Sequence, residues 1–462
     1  MTECSFWLNR LGVMGMALAL AFVLPTIAAA QYQQPQAQPP RQQEQPKSRK
    51  ERKAAAEAEA AAAAKANEAP QAEYSKEFRK VASKAQNLAN DKKWADLLAV
   101  LPELEALPNP TRDEKKAIAT WRLQATQGSG DQDGFAAAIE VFLKEGYTEP
   151  GQIGAMHRQL AAHYSAKQDR EKTVYHFRQF VDATPDVEPD EFETLGRLYL
   201  QANQYADSAQ FLGKAIDLSA SRKETPKDLW FQLRDRCFIE LKDEAGRLAN
   251  LESLVGYYPD KEYYSRVVAI YQNQTKDDRV VMLNAYRLAM SDPRGGLATV
   301  GGYLNYADTA LVAGSPGEAA RALERGMKEG IVPSIGTNQQ TLQEAKAAVA
   351  QDRRSLPAES AAAEKNAKGQ LDVKVGLGFY STGEYELAAA AVRRGIAKGG
   401  VARLDDANLL LGAALMELGR RDEARAAFEA ARAAAPAGSH MARVADLWLT
   451  RVTRVDPAPA GS

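Results

Sequence analysis

Residues 408–436 read NLLLGAALMELGRRDEARAAFEAARAAAP, and this stretch decides the fold. It contains two amphipathic segments separated by a short turn, which indicates a pair of helices. Gly412 and Ala424 are small where the two helices cross, because larger side chains would push the backbones apart. Phe428 fills the gap against the next hairpin, and Pro436 ends the second helix because its ring cannot continue the hydrogen-bond ladder. The stretch therefore predicts a helical hairpin.

The same frame recurs upstream at a regular spacing. Tyr164 and Tyr199 are 35 residues apart, and Gly376 and Gly412 are 36 residues apart. Such a period predicts a stacked array of helical hairpins, in which each hairpin buries the apolar face of its neighbour. We count about nine or ten hairpins in residues 74–453.

The C-terminal hairpin also carries a recognisable signature. The tetratricopeptide pattern is W-x2-L-G-x2-Y, then A-x3-F, then P. Asn408 and Leu415 stand where this pattern has Trp and Tyr, and the positions that match it are Leu411, Gly412, Ala424, Phe428 and Pro436. The chain thus resembles the tetratricopeptide repeat family over most of its length, most strongly in its last two units. The resemblance implies an all-α, tetratricopeptide-like solenoid wound into a right-handed superhelix, with a concave wall made by the first helix of each pair.

The composition excludes some classes of partner. The chain has 462 residues, 45% of them apolar, so it can bury a sizeable core. Its 59 Lys and Arg residues balance 60 Asp and Glu residues, so no global field attracts nucleic acid or an anionic membrane. Any charged binding surface must therefore be local. Of the two cysteines, Cys4 lies in a segment that we expect to be removed, and Cys237 is predicted to be a buried apolar side chain.

The N-terminus has the pattern of a secretory signal peptide. A polar start ends at Arg10, a continuous apolar run spans 11–27, and three alanines at 28–30 close it. The run is short for a membrane span, which needs about 20 residues. We therefore predict cleavage after Ala30, with a retained N-terminal anchor as the alternative. The expected location is a bacterial periplasm.

A disordered tether is predicted to follow the signal peptide. Gln and Pro dominate 31–46, and an Ala- and Glu-rich run without an apolar stripe occupies 54–69. The basic cluster between them, at 47–53, is interpreted as a solubilising charge run, and contact with an anionic lipid or polymer surface is the alternative. Membrane contact is expected only at this basic cluster, and only under the alternative interpretation. The predicted domains are the signal peptide, the tether, the repeat array and a loose tail, at 1–30, 31–73, 74–453 and 454–462.

Enzyme motifs are missing from the sequence. H-E-x-x-H, G-x-S-x-G and G-x-x-x-x-G-K do not occur. His163 and His176 could approach each other across one hairpin, but ordinary packing or surface positions explain them better than metal binding. Gly376-x-Gly378 resembles the start of a dinucleotide fingerprint, yet it falls in a helical pattern and not after a strand. We expect no catalytic residue, no metal and no cofactor; the alternative is an enzyme with a carboxylate pair hidden among the abundant acidic residues.

Helix geometry predicts a binding surface. In the first helix of each pair, the residue after the small crossing position, and residues three or four before that, point away from the partner helix. Arginine dominates these positions, which suits an acidic or extended partner through bidentate contacts. The alternative is a row of solvated surface charges. The binding residues predicted in this way are Arg158, Arg197, Gln232, Arg236, Arg266 and Asn305.

The sequence thus predicts a non-enzymatic scaffold or adaptor that binds a protein partner, in an envelope complex, on the concave face of the array. The rival hypothesis is a protein that binds carbohydrate or guides a polymer in cell-wall or exopolysaccharide export. An aromatic stripe could serve the rival function, since flat amphipathic rings bind with little loss of entropy. Packing between hairpins is the simpler interpretation of this stripe, which consists of Tyr257, Tyr258, Tyr263, Tyr264 and Tyr271.

Overall fold

The computed structural model describes residues 73–275 and 278–454. Within them the chain forms twenty α-helices and no strand, which confirms the all-α class. The predicted signal peptide and the predicted tether up to residue 72 lie outside the described residues, as does the tail after Arg454. The chain divides into two compact units, which the sequence did not predict: unit 1 ends at Val187 and unit 2 begins at Glu188.

Unit 1 contains three helical hairpins. Its helices are α1 (Lys76–Asn90), α2 (Trp94–Glu105), α3 (Arg112–Ser129), α4 (Gln132–Lys144), α5 (Pro150–Ala166) and α6 (Arg170–Ala183). Thr111 and Glu114 form a reciprocal capping box at the start of α3. The carboxylates of Asp131 and Asp169 accept backbone N–H bonds at the starts of α4 and α6. Short polar residues therefore fix where three of these helices begin.

Unit 2 contains six further hairpins and two single helices. The paired helices are α7 (Pro189–Gln201), α8 (Tyr205–Ser221), α9 (Asp228–Leu241), α10 (Glu244–Tyr257), α11 (Lys261–Thr275), α12 (Arg279–Ser291), α13 (Val300–Val312), α14 (Pro316–Lys328), α16 (Gln370–Thr382), α17 (Tyr385–Lys398), α18 (Leu404–Glu417) and α19 (Arg421–Ala434). The single helices are α15 (Gly336–Lys365) and α20 (His440–Thr453). Together with unit 1, the described residues form nine hairpins, in agreement with the predicted number.

The crossings within the hairpins confirm the tetratricopeptide-like frame. A Cβ atom added to Gly412 would lie 2.3 Å from Cε1 of Phe428, so only glycine lets α18 and α19 cross this closely. Gly376 and Val392 repeat the arrangement in α16 and α17, where the added Cβ would lie 2.5 Å from Cγ2. Phe428 also stacks on Trp448 of α20, with ring centroids 4.8 Å apart. The phenylalanine therefore joins its own hairpin to the next helix, which is a single helix and not the further hairpin that was predicted.

Helix α15 is the longest helix in the described part of the chain. It is 30 residues long and has Pro357 in its interior. Lys346 in its first half forms an ion pair of 2.7 Å with Glu324 of α14. In its second half, Leu356 packs against Gly378 of α16. The long helix thus connects the hairpin before it to the hairpin after it.

Unit 2 also closes on itself, which local periodicity did not predict. Nine consecutive residues of α12, from Val281 to Ala289, are buried. Asn284 of this helix donates a hydrogen bond of 2.7 Å to Asp406 of α18. Because α18 and α20 both pack against α12, these helices do not form an open wall.

The C-terminal helix fastens this closure. Arg443 of α20 donates from Nε to Glu252 of α10 over 2.9 Å. Arg454, placed by the sequence in a loose tail, instead pairs with the buried Asp292 over 2.5 Å and donates to the carbonyl oxygen of Val255 over 3.0 Å. The guanidinium binds carbonyl groups that lack helical partners at the C-terminal end of α10, and it also pairs with the carboxylate that follows α12. Arg454 therefore belongs to the packed structure of unit 2.

Candidate functional site

Helices α7 and α9 leave a cleft of about 390 Å³ between them in unit 2. Arg197 and Leu200 of α7 lie one helical turn apart, and so do Leu233 and Arg236 of α9. Each helix therefore contributes one guanidinium group and one leucine to the lining of the cleft. The leucines are half-buried, while Arg236 is exposed. The cleft can receive an acidic group and an aliphatic group side by side.

Glu193 fixes the arrangement of these two helices from within. Its Oε2 accepts a hydrogen bond of 2.7 Å from Nε1 of Trp230, and its Oε1 lies 3.7 Å from Nη1 of Arg197. Lys227 adds an ion pair of 2.6 Å to Asp190 and lies 3.5 Å from Glu193. Partial burial opposes the charge of Lys227, but the two carboxylates raise the pKa of its ammonium group. The cleft walls are therefore joined by a buried hydrogen bond and by ion pairs.

The remaining predicted residues of unit 2 lie on the following first helices. Gln232 of α9 donates to the hydroxyl of Tyr263 on α11 over 3.1 Å. Asn305 of α13 donates to Gln272 of α11 over 3.4 Å. Contacts between side chains thus connect α7, α9, α11 and α13 in sequence. We call their common surface the ladder face, defined by Arg197, Gln232, Arg236, Arg266 and Asn305.

Carboxylates compensate part of the positive charge of the ladder face. Asp235 is buried; one oxygen accepts from Nε of Arg247 over 3.0 Å, and the other lies 3.7 Å from Nη1 of Arg266. Arg197 is similarly close to Glu193. Arg236 has no ion pair within the described ranges 73–275 and 278–454. The ladder face is therefore mixed in charge, and Arg236 is its most available cation.

Arg158 belongs to α5 of unit 1, unlike the other five predicted residues. Its side chain is exposed, and its guanidinium carbon lies 5.1 Å from the ring centroid of Phe180, within cation–π range. The structure therefore brings five of the six predicted residues onto one face and leaves Arg158 on a separate unit.

A larger cleft of about 770 Å³ lies between α4 and α5 in unit 1. Its lining includes the buried Ile139 and Leu160. Asp133 also lines the cleft, where it pairs with Lys167 over 2.8 Å and lies 3.6 Å from Nε2 of His163. These charges compensate one another inside the cleft, and none indicates a ligand of particular chemistry. We therefore take the ladder face as the candidate site.

The histidine contact in unit 1 is not the one between His163 and His176 that the sequence allowed. His176 pairs with His157, with Nδ1 atoms 3.0 Å apart, whereas His163 lies against Asp133. The ring of Tyr164 stacks on His176, and His163 lies against the same ring. Within the described chain, no three His, Cys, Asp or Glu side chains are grouped to hold a metal ion.

The tyrosine stripe of unit 2 is mainly a packing feature. Tyr264 and Tyr271 are buried, and Tyr258 donates its hydroxyl to the carbonyl oxygen of Pro226 over 2.8 Å. Tyr257 is 38% exposed, but its ring also contacts Phe231 at 5.9 Å. The rings do not form an open platform for a sugar, so the carbohydrate alternative is not favoured.

Two other sequence features can be compared with the structure. Cys237 is fully buried, as predicted, and burial raises the pKa of its thiol. Gly376 and Gly378 lie inside helix α16, also as predicted. None of the helices in the described ranges combines the length and apolarity that a membrane span requires.

The sequence prediction missed the uncharged and acidic parts of the site. Leu200 and Leu233 each lie three positions from a predicted arginine on the same helix, so helical spacing could have revealed them. Glu193 and Asp235 gave no comparable signal, because their roles depend on contacts with neighbouring helices.

No protein-family model and no curated protein matches the chain. Solved structures with a similar arrangement include the TPR2AB domain of yeast Sti1 in a pHSP90 complex, with 9% identity and a TM-score of 0.21 over 66% of this chain and 100% of that one. A tetratricopeptide repeat protein from Parabacteroides merdae shows 12% identity and a TM-score of 0.23, over 59% of this chain and 100% of that one. A repeat protein from Cytophaga hutchinsonii shows 13% identity and a TM-score of 0.22, over 79% of this chain and 98% of that one. TM-scores this low carry no information about function. The tetratricopeptide-like fold is established by the hairpins described above.

Proposed function

We propose that this protein is a non-enzymatic scaffold that holds an extended segment of a protein partner on the ladder face. One observation supports this proposal above the others: Arg197 and Arg236 share a cleft with Leu200 and Leu233. First helices of stacked hairpins present such positions in a regular row, which suits an extended chain better than a compact ligand.

The chemistry of the cleft specifies the segment. Two guanidinium groups favour a carboxylate through charge-assisted hydrogen bonds, and two half-buried leucines favour an aliphatic side chain beside it. The proposed ligand is therefore an extended segment in which Asp or Glu adjoins Leu, Ile or Val. Compensation of Arg266 by Asp235 makes a long run of acidic residues less suitable.

Peptide binding tests this function directly. The purified protein is titrated against fluorescent peptides that carry Glu-Leu pairs in a Gly/Ser background, with Lys-Leu peptides for comparison. We expect the Glu-Leu peptides alone to bind. Arg197→Glu with Arg236→Glu should lower the affinity by at least about 100-fold, since each of the two charge-assisted contacts contributes about 1.5–3 kcal/mol.

A charge-matched control is available in the same chain. Arg170→Glu with Arg425→Glu changes the net charge equally at two exposed positions on α6 and α19, helices that contribute no residue to the ladder face. This control variant should bind as the wild type does. Equal losses in both variants would mean that only net charge matters, and selective binding of glycan fragments in the same assay would favour the rival function.

We also propose that the protein is exported to the bacterial periplasm and serves an envelope complex. The apolar run at 11–27 and the alanines at 28–30 support this location. Expressed in a Gram-negative host, the protein should appear in the periplasmic fraction with Gln31 as its first residue. An N-terminus that retains the apolar run would favour the anchored alternative, and recovery from the cytosol would contradict export.

A further inference from the structure

Two buried imidazoles join α5 to α6 inside unit 1. The Nδ1 atoms of His157 and His176 are 3.0 Å apart, and the residues are 8% and 6% exposed. A hydrogen bond between these two atoms requires a single proton between them. One imidazole donates its Nδ1–H, and the other accepts with the lone pair on its Nδ1.

Mostly aromatic rings surround this pair. The Tyr164 ring stacks on His176 at 5.4 Å, and the exposed Tyr175 meets both imidazoles edge-on. Glu140 and Lys172 both bind the Tyr164 hydroxyl, so their opposite charges largely cancel beside the pair. The titratable and charged groups that face it are Glu140 on α4, Tyr164 on α5, and Lys172 and Tyr175 on α6.

We propose that the His157–His176 pair is a two-proton switch that holds the α5/α6 hairpin closed at neutral pH and releases it in acid. The first proton taken from solvent binds Nε2 of the donor imidazole, and the Nδ1–H···Nδ1 hydrogen bond survives. The second proton can bind only Nδ1 of the acceptor, which removes the lone pair that made the bond. Two buried cations then face each other at hydrogen-bond distance, and the helices must separate to admit water.

The direction of the pH effect follows from proton linkage. Burial lowers the pKa of His157; burial together with the adjacent His157 lowers the pKa of His176 to about 4. In an opened hairpin each imidazole returns to about 6.5. The open form therefore binds more protons between pH 6.5 and 4, so the closed hairpin is stable above this window and loses stability as the pH falls through it.

Hydrogen exchange on the full chain measures this opening. After correction for the chemical exchange rate, we expect amide protection in α5 and α6 to fall about 50-fold between pH 7 and pH 4.5, while α8 of unit 2 changes much less. The double variant His157→Leu, His176→Leu has no titratable pair and should lose far less protection. His163→Gln keeps the pair and should behave as the wild type does. Constant wild-type protection, or an equal loss in the double variant, overturns the proposal.

A second measurement does not depend on how the double variant folds. The chain has four histidines, so selective 15N labelling of histidine and single-site replacement assign each imidazole. His157 and His176 should titrate in two separated steps, both below 6.5. Titration of both groups in one step near 6.5 would show that the pair does not share a proton, and the switch would be excluded.

Discussion

Glu318 and Arg287 form an ion pair whose two side chains are each 1% exposed. The guanidinium donates from Nε over 2.8 Å and from Nη2 over 2.7 Å. Tyr306 and Ser315 also donate to the carboxylate, over 2.9 and 2.6 Å. Burial alone would raise the pKa of Glu318, but Arg287 and these hydrogen bonds hold it below its ordinary value. The carboxylate is therefore charged, fully bonded, and central to α12, α13 and α14.

The variant Glu318→Gln leaves Arg287 buried without the carboxylate that pairs with it directly. We expect the free energy of unfolding to fall by about 3–5 kcal/mol, measured by urea unfolding followed by circular dichroism. Glu324→Gln is the matched control, because it lies on the same helix and its pair with Lys346 is about half exposed. The control should cost less than about 1 kcal/mol. Equal costs would show that the buried pair contributes no more than a surface pair.

At the scale of the helix, the sequence predicts most accurately those features that depend on residues close together in the chain. The hairpin of α18 and α19 follows from small crossing residues and a terminal proline, all within one repeat. The burial of helix α12 does not follow from its own sequence. Asn284 and Arg287 make the helix look half-polar, although both side chains are buried. Asp406, the partner of Asn284, lies 122 residues away. Local periodicity carries no record of such a contact, so the central position of α12 could not be predicted.

In the candidate site, too, local spacing predicted some features and missed others. Positions relative to the crossing glycine predicted Arg197, because Gly196 does meet Leu212 of the next helix. They also predicted that Arg266 would be exposed, which it is, but not that Asp235 would lie beside it. Spacing thus predicts which side chains reach a face, whereas the charge balance of that face depends on how hairpins stack.

The whole of unit 2 differs from an open repeat array in how its parts depend on one another. In an open array each repeat contacts only its neighbours, and stability is nearly a sum of local terms. Here α20 follows α19 in sequence but also contacts α10 and α12, through Arg443 and Arg454. Such long-range contacts couple distant hairpins, so we expect α10–α20 to unfold as one cooperative unit.

Removing the last helix tests this coupling. A chain that ends at Gly438 lacks Trp448 and the three arginines that contact Glu252 and Asp292, namely Arg443, Arg451 and Arg454. We expect hydrogen exchange to show lost amide protection in α10 and α12 as well as in the adjacent α19, because buried faces in all three become exposed. A chain that ends at Arg454 removes only the following tail and should keep full protection. Loss of protection confined to α18 and α19 would instead mean that the contacts of α20 with α10 and α12 contribute little to stability. The variant Asp292→Asn weakens the same contact without deleting a helix. It should lower amide protection in α10 and α12 by a smaller amount than the truncation does.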